Sequence, residues 1–303
     1  MEIRVIIEVV VSLFSIILIG VIASKAKVIT SELNKGLCNI LLDITLPLMI
    51  VSAFIFDFDE RMKANVIKSF VYSFIAVVIS IGVSHVFLKP IKSKRKFMLQ
   101  FANVFSNCGF IGFPLINSIY GSEGVIYASI FNLFFTAAVW TYGIILFTGS
   151  INKKDIKKVL LKPAIVAVYI GIIIMIFKIK VPEIILGTIK SVGSITSPLS
   201  MIIVGVILAN VNIKKYLKDW TIYYSAFLRL IVMPLSIYFI FMLFGVNNVV
   251  SKTIVFLSAV PTATITTIFA ESFDREVEYA AILVFSSALL SLITLPIIIY
   301  LIV

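Results

Sequence analysis

The sequence predicts an all-α integral membrane protein whose ten transmembrane helices form two inverted repeats of five. Three observations carry this expectation: an apolar composition, a series of long apolar runs, and prolines at matching places in the two halves. Of 303 residues, 61% are hydrophobic and only 14% charged, with a mean hydropathy of +1.14. A soluble domain of that length needs far more polar surface, so the bilayer is the expected solvent.

The apolar runs place spans near 3–23, 36–56, 65–88, 98–120, 123–148, 160–177, 184–208, 221–244, 252–271 and 278–302. Runs this long and continuous are helices; barrel strands would alternate over about ten residues. The first run has acids (Glu2, Glu8) where a signal peptide carries its basic region, and no small-residue cleavage pattern follows it, so it reads as a retained span. Connections 1–2, 3–4, 5–6, 7–8 and 9–10 carry 17 of the 26 lysines and arginines, and the opposite side carries 8. The positive-inside rule then sets those connections in the cytoplasm and both termini outside, in a multi-pass protein of the cell membrane.

The same clustering accounts for the net charge of +11, because lysines between apolar runs face anionic headgroups. No basic stripe or nucleic-acid module is present, so lipid is the expected neighbour and nucleic acid is not. Cys38 and Cys108 both lie within apolar runs, which argues against a disulfide framework. One histidine and no cysteine pair leave no transition-metal site, and no P-loop, GxSxG, HExxH or dinucleotide fingerprint stands in context. The chain is therefore not expected to be an enzyme or to need a cofactor.

The repeat is read from two matches. Ile44-Thr45-Leu46-Pro47-Leu48 in the second span resembles Ile195-Thr196-Ser197-Pro198-Leu199 in the seventh, an offset of 151. Pro114 in the fourth span and Pro261 in the ninth are offset by 147. The division is a first repeat over 1–148, a cytoplasmic linker over 149–162 and a second repeat over 163–303. With five spans per half, the second copy enters from the opposite face. Inverted repeats with broken helices in matching places point to a midplane substrate site and alternating access.

The fourth span supplies the chemistry, in Asn103-Val104-Phe105-Ser106-Asn107-Cys108-Gly109-Phe110-Ile111-Gly112-Phe113-Pro114. Asparagines, glycines and a proline together are costly in a regular lipid-facing helix, and Pro114 removes a donor and displaces an upstream carbonyl. A second half-helix is expected to start at Pro114, its positive end aimed at the membrane centre. The ninth span repeats the pattern from Pro261, with Thr262 and Thr264 offering hydroxyls. Two positive helix ends among neutral polar groups suit an anion, most simply a carboxylate. Paired proline kinks with no ligand are the plainer alternative.

Asp43, one turn before Pro47, is either a coupling or pairing group or a hydrogen-bond partner that only holds the bundle. Pro47 and Thr45, with their counterparts in the seventh span, are placed to brace the site. Arg229, inside the eighth span, either pairs with the substrate or Asp43 or is a snorkelling or structural arginine. His85 is expected at the interface.

The stretch Asn107-Cys108-Gly109-Phe110-Ile111-Gly112-Phe113-Pro114-Leu115, followed by Tyr120-Gly121, resembles the fourth-helix signature of the auxin efflux carrier family. Ala259-Val260-Pro261 with Phe269-Ala270 is similar to that family's ninth helix, and Arg229 before Met233-Pro234 to its eighth. The resemblance implies a fold related to bile-acid symporters and sodium–proton antiporters. In it, helices 1, 2, 6 and 7 form a scaffold through which two copies pair, and helices 3–5 and 8–10 a transport domain. It also implies that Pro114 and Pro261 are the crossover prolines, with Asn107 the substrate or helix-end partner. Plant members export auxin, an indole carboxylate, while bacterial relatives are linked to malate- or malonate-like acids. The long central loop of the plant carriers is missing here, so neither auxin nor regulation through that loop is expected.

The functional expectation is a secondary transporter for a small organic anion, working by alternating access as an elevator. Its site residues are Asn103, Asn107, Cys108, Gly112, Pro114, Pro261, Thr262, Thr264, Asp43 and Pro47. Two alternatives stand beside it: a sodium- or proton-coupled carrier on the same fold, and a membrane receptor that binds without transporting.

Overall fold

In the computed structural model of the chain, residues 3–55, 60–149, 161, 163–209, 216 and 218–302 are described, and they are almost wholly helical. The linker expected over 149–162 lies outside them except for Gly149 and Leu161. Among the described residues there is no strand, only one isolated antiparallel bridge. Within those same residues, six helical stretches are long and apolar enough to cross a membrane, and Phe14–Lys25, Pro163–Phe177 and Val249–Ala259 are shorter apolar helices.

Packing sorts the helices into two groups. Ile3–Lys25 lies along Thr196–Ala209, and Leu46–Ala53 packs between Pro163–Phe177 and Glu183–Ser194. In the other group, Glu60–Phe87 packs on Phe113–Ala138, Met233–Leu243 and Val249–Ala259, and Val277–Ile302 on Trp220–Phe227 and Ile265–Ser272. The first group is locked by backbone touching backbone. A Cβ added at Gly205 would stand 2.1 Å from the Ile17 carbonyl oxygen, and one at Gly20 2.3 Å from that of Ile202. Small residues let membrane helices approach this closely, and van der Waals contact then holds them. Gly205→Ala is expected to wedge the pair apart at a cost of about 1–3 kcal/mol. It should read as a lower melting temperature in detergent, whereas Gly36→Ala, inside the helix Ser31–Ile40 with nothing within 4 Å, should leave melting unchanged or raise it slightly.

Phe113–Ala138 is interrupted at Gly121, whose φ of 58° and ψ of −148° an L side chain would strain against. That break falls between the fourth and fifth apolar runs.

Polar contacts tie together the ends of distant segments. Arg95 binds Glu276 through Nε at 2.8 Å and Asp219 through Nη1 at 3.5 Å, joining three connections at one end of the bundle. Elsewhere, Arg61 lies 4.0 Å from Glu123, whose carboxylate accepts the Tyr127 hydroxyl at 2.7 Å.

Three prolines follow widened turns of π-helix. Leu41–Thr45 precedes Leu46-Pro47, Cys108–Gly112 precedes Phe113-Pro114, and Leu228–Val232 precedes Met233-Pro234. In each case the residue before the proline donates five residues back: Leu46 to Leu41, Phe113 to Cys108, Met233 to Leu228. A proline has no amide for the carbonyl four back, and its ring crowds that oxygen, so the helix admits one extra residue. The carbonyls in question belong to Asp43, Phe110 and Leu230. The first two residues line the cavity described next, and the third adjoins Arg229.

Candidate substrate site at the helix crossover

Two helices stop in the interior and cross. Lys96–Val104 ends at Phe105, which is extended (φ −99°, ψ 111°), and Val249–Ala259 ends at Val260, also extended (φ −68°, ψ 154°). Each break frees backbone groups that an apolar interior cannot hydrate. The two breaks satisfy each other. The Asn107 amide donates to the Pro261 carbonyl at 2.7 Å, and the Ala263 amide to that of Phe105 at 2.9 Å, around the Ser106–Thr262 bridge. Thr262 completes the junction: its hydroxyl donates to the Ala102 carbonyl at 3.2 Å and its amide to Ser287 Oγ at 3.1 Å.

Behind the crossing lies Arg229, 1% exposed, so it does not snorkel. Its guanidinium donates to the carbonyls of Asn103 (Nη1, 2.8 Å), Ser258 (Nη2, 2.7 Å) and Val260 (Nε, 3.2 Å). These are the last carbonyls of both interrupted helices. A helix C-terminus carries about half a negative charge, so one guanidinium matches two such ends. Of the sequence alternatives the structural one holds, and Arg229 is not among the residues lining the cavity.

On the far side of the crossing the chain becomes helical again. The fourth-span half-helix restarts at Cys108, not at Pro114, because the π-turn Cys108–Gly112 comes first and Asn107 caps it by accepting from the Phe110 amide at 3.2 Å. Pro114 sits in the first turn of the α-helix that follows. The ninth-span half-helix is Ile265–Ser272.

A cavity of about 190 Å³ opens where these two half-helices begin. Its polar lining is Asp43, Ser106, Asn107, Asn132, Thr136 and Thr264, with Cys108 beside them. Asn132 accepts from Cys108 Sγ at 3.5 Å, which ties the fifth span to the π-turn. Phe110, Phe135 and Trp140 supply aromatic walls. Asp43 is exposed, whereas Asn107, Cys108 and Thr264 are buried.

Of the ten residues singled out by sequence, the cavity gathers Asp43, Asn107, Cys108 and Thr264. Pro261 and Thr262 form the junction itself. Asn103 lies behind it, donating to Ser225 Oγ at 3.0 Å and to the Leu99 carbonyl at 2.8 Å. Gly112 packs on Leu257, and Pro47 and Pro114 stand two residues after their π-turns. Asn132, Thr136 and Trp140 line the cavity without having been singled out. They are isolated polar or aromatic residues in an apolar run, and no motif marks them. Among the described residues no group of acids, histidine and cysteines could hold a metal ion.

A family described as membrane transport protein matches residues 5–157 and again residues 147–299. The chain belongs to that family. As a member of the auxin efflux carrier group it is a membrane transporter and not an enzyme. It is 24% identical over 299 residues to an uncharacterized transporter of Methanocaldococcus jannaschii, covering 95% of this chain and 96% of the relative. An uncharacterized transporter of Methanothermobacter thermautotrophicus is 25% identical over 297 residues, with the same shares covered. This carrier therefore aligns with those relatives nearly end to end.

Proposed function

We propose that this carrier moves a small organic anion, a carboxylate, across the cell membrane by alternating access, with its site at the crossover. The observation that carries the reading is the cavity where two half-helices begin. Helix starts present amides and a positive dipole end, and neutral amide and hydroxyl side chains surround them, an arrangement suited to an anion. Arg229 balances the opposite, negative ends from behind, which leaves the cavity to the positive ones. The volume, below the ~300 Å³ at which drug-sized pockets begin, fits a small solute.

The same reading takes the helices as ten spans in two inverted repeats. The break at Gly121 supports separate fourth and fifth spans, and the crossing of the fourth with the ninth matches equivalent places in each half. The meeting of Arg95, Asp219 and Glu276 supports a shared side for connections 3–4, 7–8 and 9–10. The Arg61–Glu123 pair supports the other side for 2–3 and 4–5. The split of packing into two groups suits an elevator, in which the crossover group slides against the group containing the Gly20–Gly205 contact, and two copies pair through the latter.

The test is uptake of labelled carboxylates (malate, malonate, indole-3-acetate and alanine) into liposomes holding the purified protein, with and without pH and sodium gradients. Flux of one or more of these carboxylates that falls at least about tenfold in Asn107→Ala is the expected result. No flux of any carboxylate, under any gradient, would remove the proposal.

A further inference from the structure

Among the described residues Asp43 is the one formally charged side chain that lines the cavity, and no described lysine, arginine or histidine joins it there. A plain carboxylate entering this space would meet helix starts and amides on one wall and an anionic side chain on another. The like charge works against binding at the short separations that so small a cavity imposes. A substrate that brings its own positive group removes the conflict.

The walls around Asp43 are built for such a group. Phe110, Phe135 and Trp140 line the same space, and aromatic faces attract ammonium ions, Trp most strongly. Two of the rings are held from behind by other rings. Phe135 meets Phe105 edge to face at 5.4 Å, and Trp140 meets Phe269 in the same manner at 5.6 Å. Rings fixed in advance lose little entropy when a ligand arrives. Asp43 itself sits in the π-turn Leu41–Thr45, which Pro47 imposes, so its place on the wall is set by the backbone.

We infer that the substrate is a small zwitterion, its carboxylate at the half-helix starts beside Asn107 and its ammonium between Asp43 and the Phe110–Phe135–Trp140 walls. The inference rests on the carboxylate reading and narrows it from organic acids in general to amino acids and betaines. Asp43 is then a specificity residue: it rejects simple acids and dianions and admits the same skeleton once an ammonium is attached.

Matched pairs of probes test this on the full-length protein in liposomes: alanine against propionate, 4-aminobutyrate against butyrate, and propylamine as the cation without a carboxylate. The ammonium-bearing acids should be taken up at least about tenfold better than their plain partners, the scale expected for one close charge pair. Asp43→Asn should collapse that ratio, and Trp140→Leu should reduce it by a smaller factor while providing a second reading if the first variant misfolds. Propionate and butyrate carried as well as their amino partners would sink the zwitterion inference and spare the carboxylate reading. Propylamine carried as well as 4-aminobutyrate would overturn both, because the carboxylate would then contribute nothing to recognition. An Asp43→Asn variant that loses its ion dependence but keeps the substrate ratio would make Asp43 a coupling group and also end the inference, and no uptake of any probe would overturn both readings.

Discussion

Arg229→Met is expected to abolish transport and to lower the stability of the protein more than any other single change considered. The side chain is buried and serves three carbonyls on two separate helices, those of Asn103, Ser258 and Val260. Methionine fills much of the volume and donates nothing. The three oxygens then stay in an apolar interior without donors, and at about 1–3 kcal/mol for each such group the loss is roughly 3 kcal/mol or more. The electrostatic part acts in the same direction, because two negative helix ends would face each other with no cation between them. Removing a buried charge also relieves a desolvation cost, which can make substitution of a buried ion pair harmless. That relief does not apply fully here, since the partners are backbone groups that remain when the arginine is gone.

Arg229→Lys separates the two contributions. Lysine keeps the positive charge but offers a compact ammonium, which cannot fork toward Asn103 on one helix and Ser258 on the other as the planar guanidinium does. It should recover part of the melting temperature and little of the transport. Thermal unfolding in detergent read beside liposome uptake makes the comparison. A methionine variant that melts with the parent and still transports would show that the helix ends need no cation and that Arg229 does not hold the crossover together.

How much of this was legible beforehand follows from the kind of signal each feature leaves. The break in the fourth span was readable because two asparagines, two glycines and a proline in twelve residues contradict a lipid-facing helix on composition alone. The place of the break was not, because proline disrupts the carbonyl four residues earlier. The π-turn at Cys108–Gly112 moves the interruption back to Phe105–Asn107, ahead of Pro114. The same offset explains Pro47: it was picked out as a site residue, and it acts by shaping the turn that holds Asp43. Asn132, Thr136 and Trp140 were hidden for a different reason. A single polar residue in an apolar helix looks alike whether it faces a cavity, a neighbouring helix or lipid, and only the tertiary packing decides. For Arg229 the sequence left pairing, snorkelling and structure open; the carbonyls that settle the matter come from residues 126, 29 and 31 positions away. Gly20 and Gly205 are likewise silent in sequence, since each is one glycine among fourteen.

Asn107→Ala and Asn103→Ala make the same chemical change four residues apart and should have opposite signatures. The Asn107 carboxamide lines the cavity and caps the π-turn through the Phe110 amide, while the backbone pairing of Asn107 with Pro261 does not need the side chain. Its loss should leave the crossing intact and cost about 1 kcal/mol at the cap. Transport should fall further, by about 10- to 100-fold, because one hydrogen bond to a charged substrate and the orientation of the helix start are lost together. Asn103, by contrast, donates to Ser225 and Leu99 behind the junction and is not part of the cavity lining. Its alanine variant strands the Ser225 hydroxyl in a buried position, so the expected result is a loss of stability of about 1–2 kcal/mol, seen as a lower melting temperature, with substrate affinity kept. Uptake measured over a range of substrate concentrations, with melting curves on the same preparations, distinguishes them. Should Asn103→Ala weaken apparent affinity as much as Asn107→Ala while both melt normally, the substrate would have to reach behind the crossing, and the site would belong on the Arg229 side.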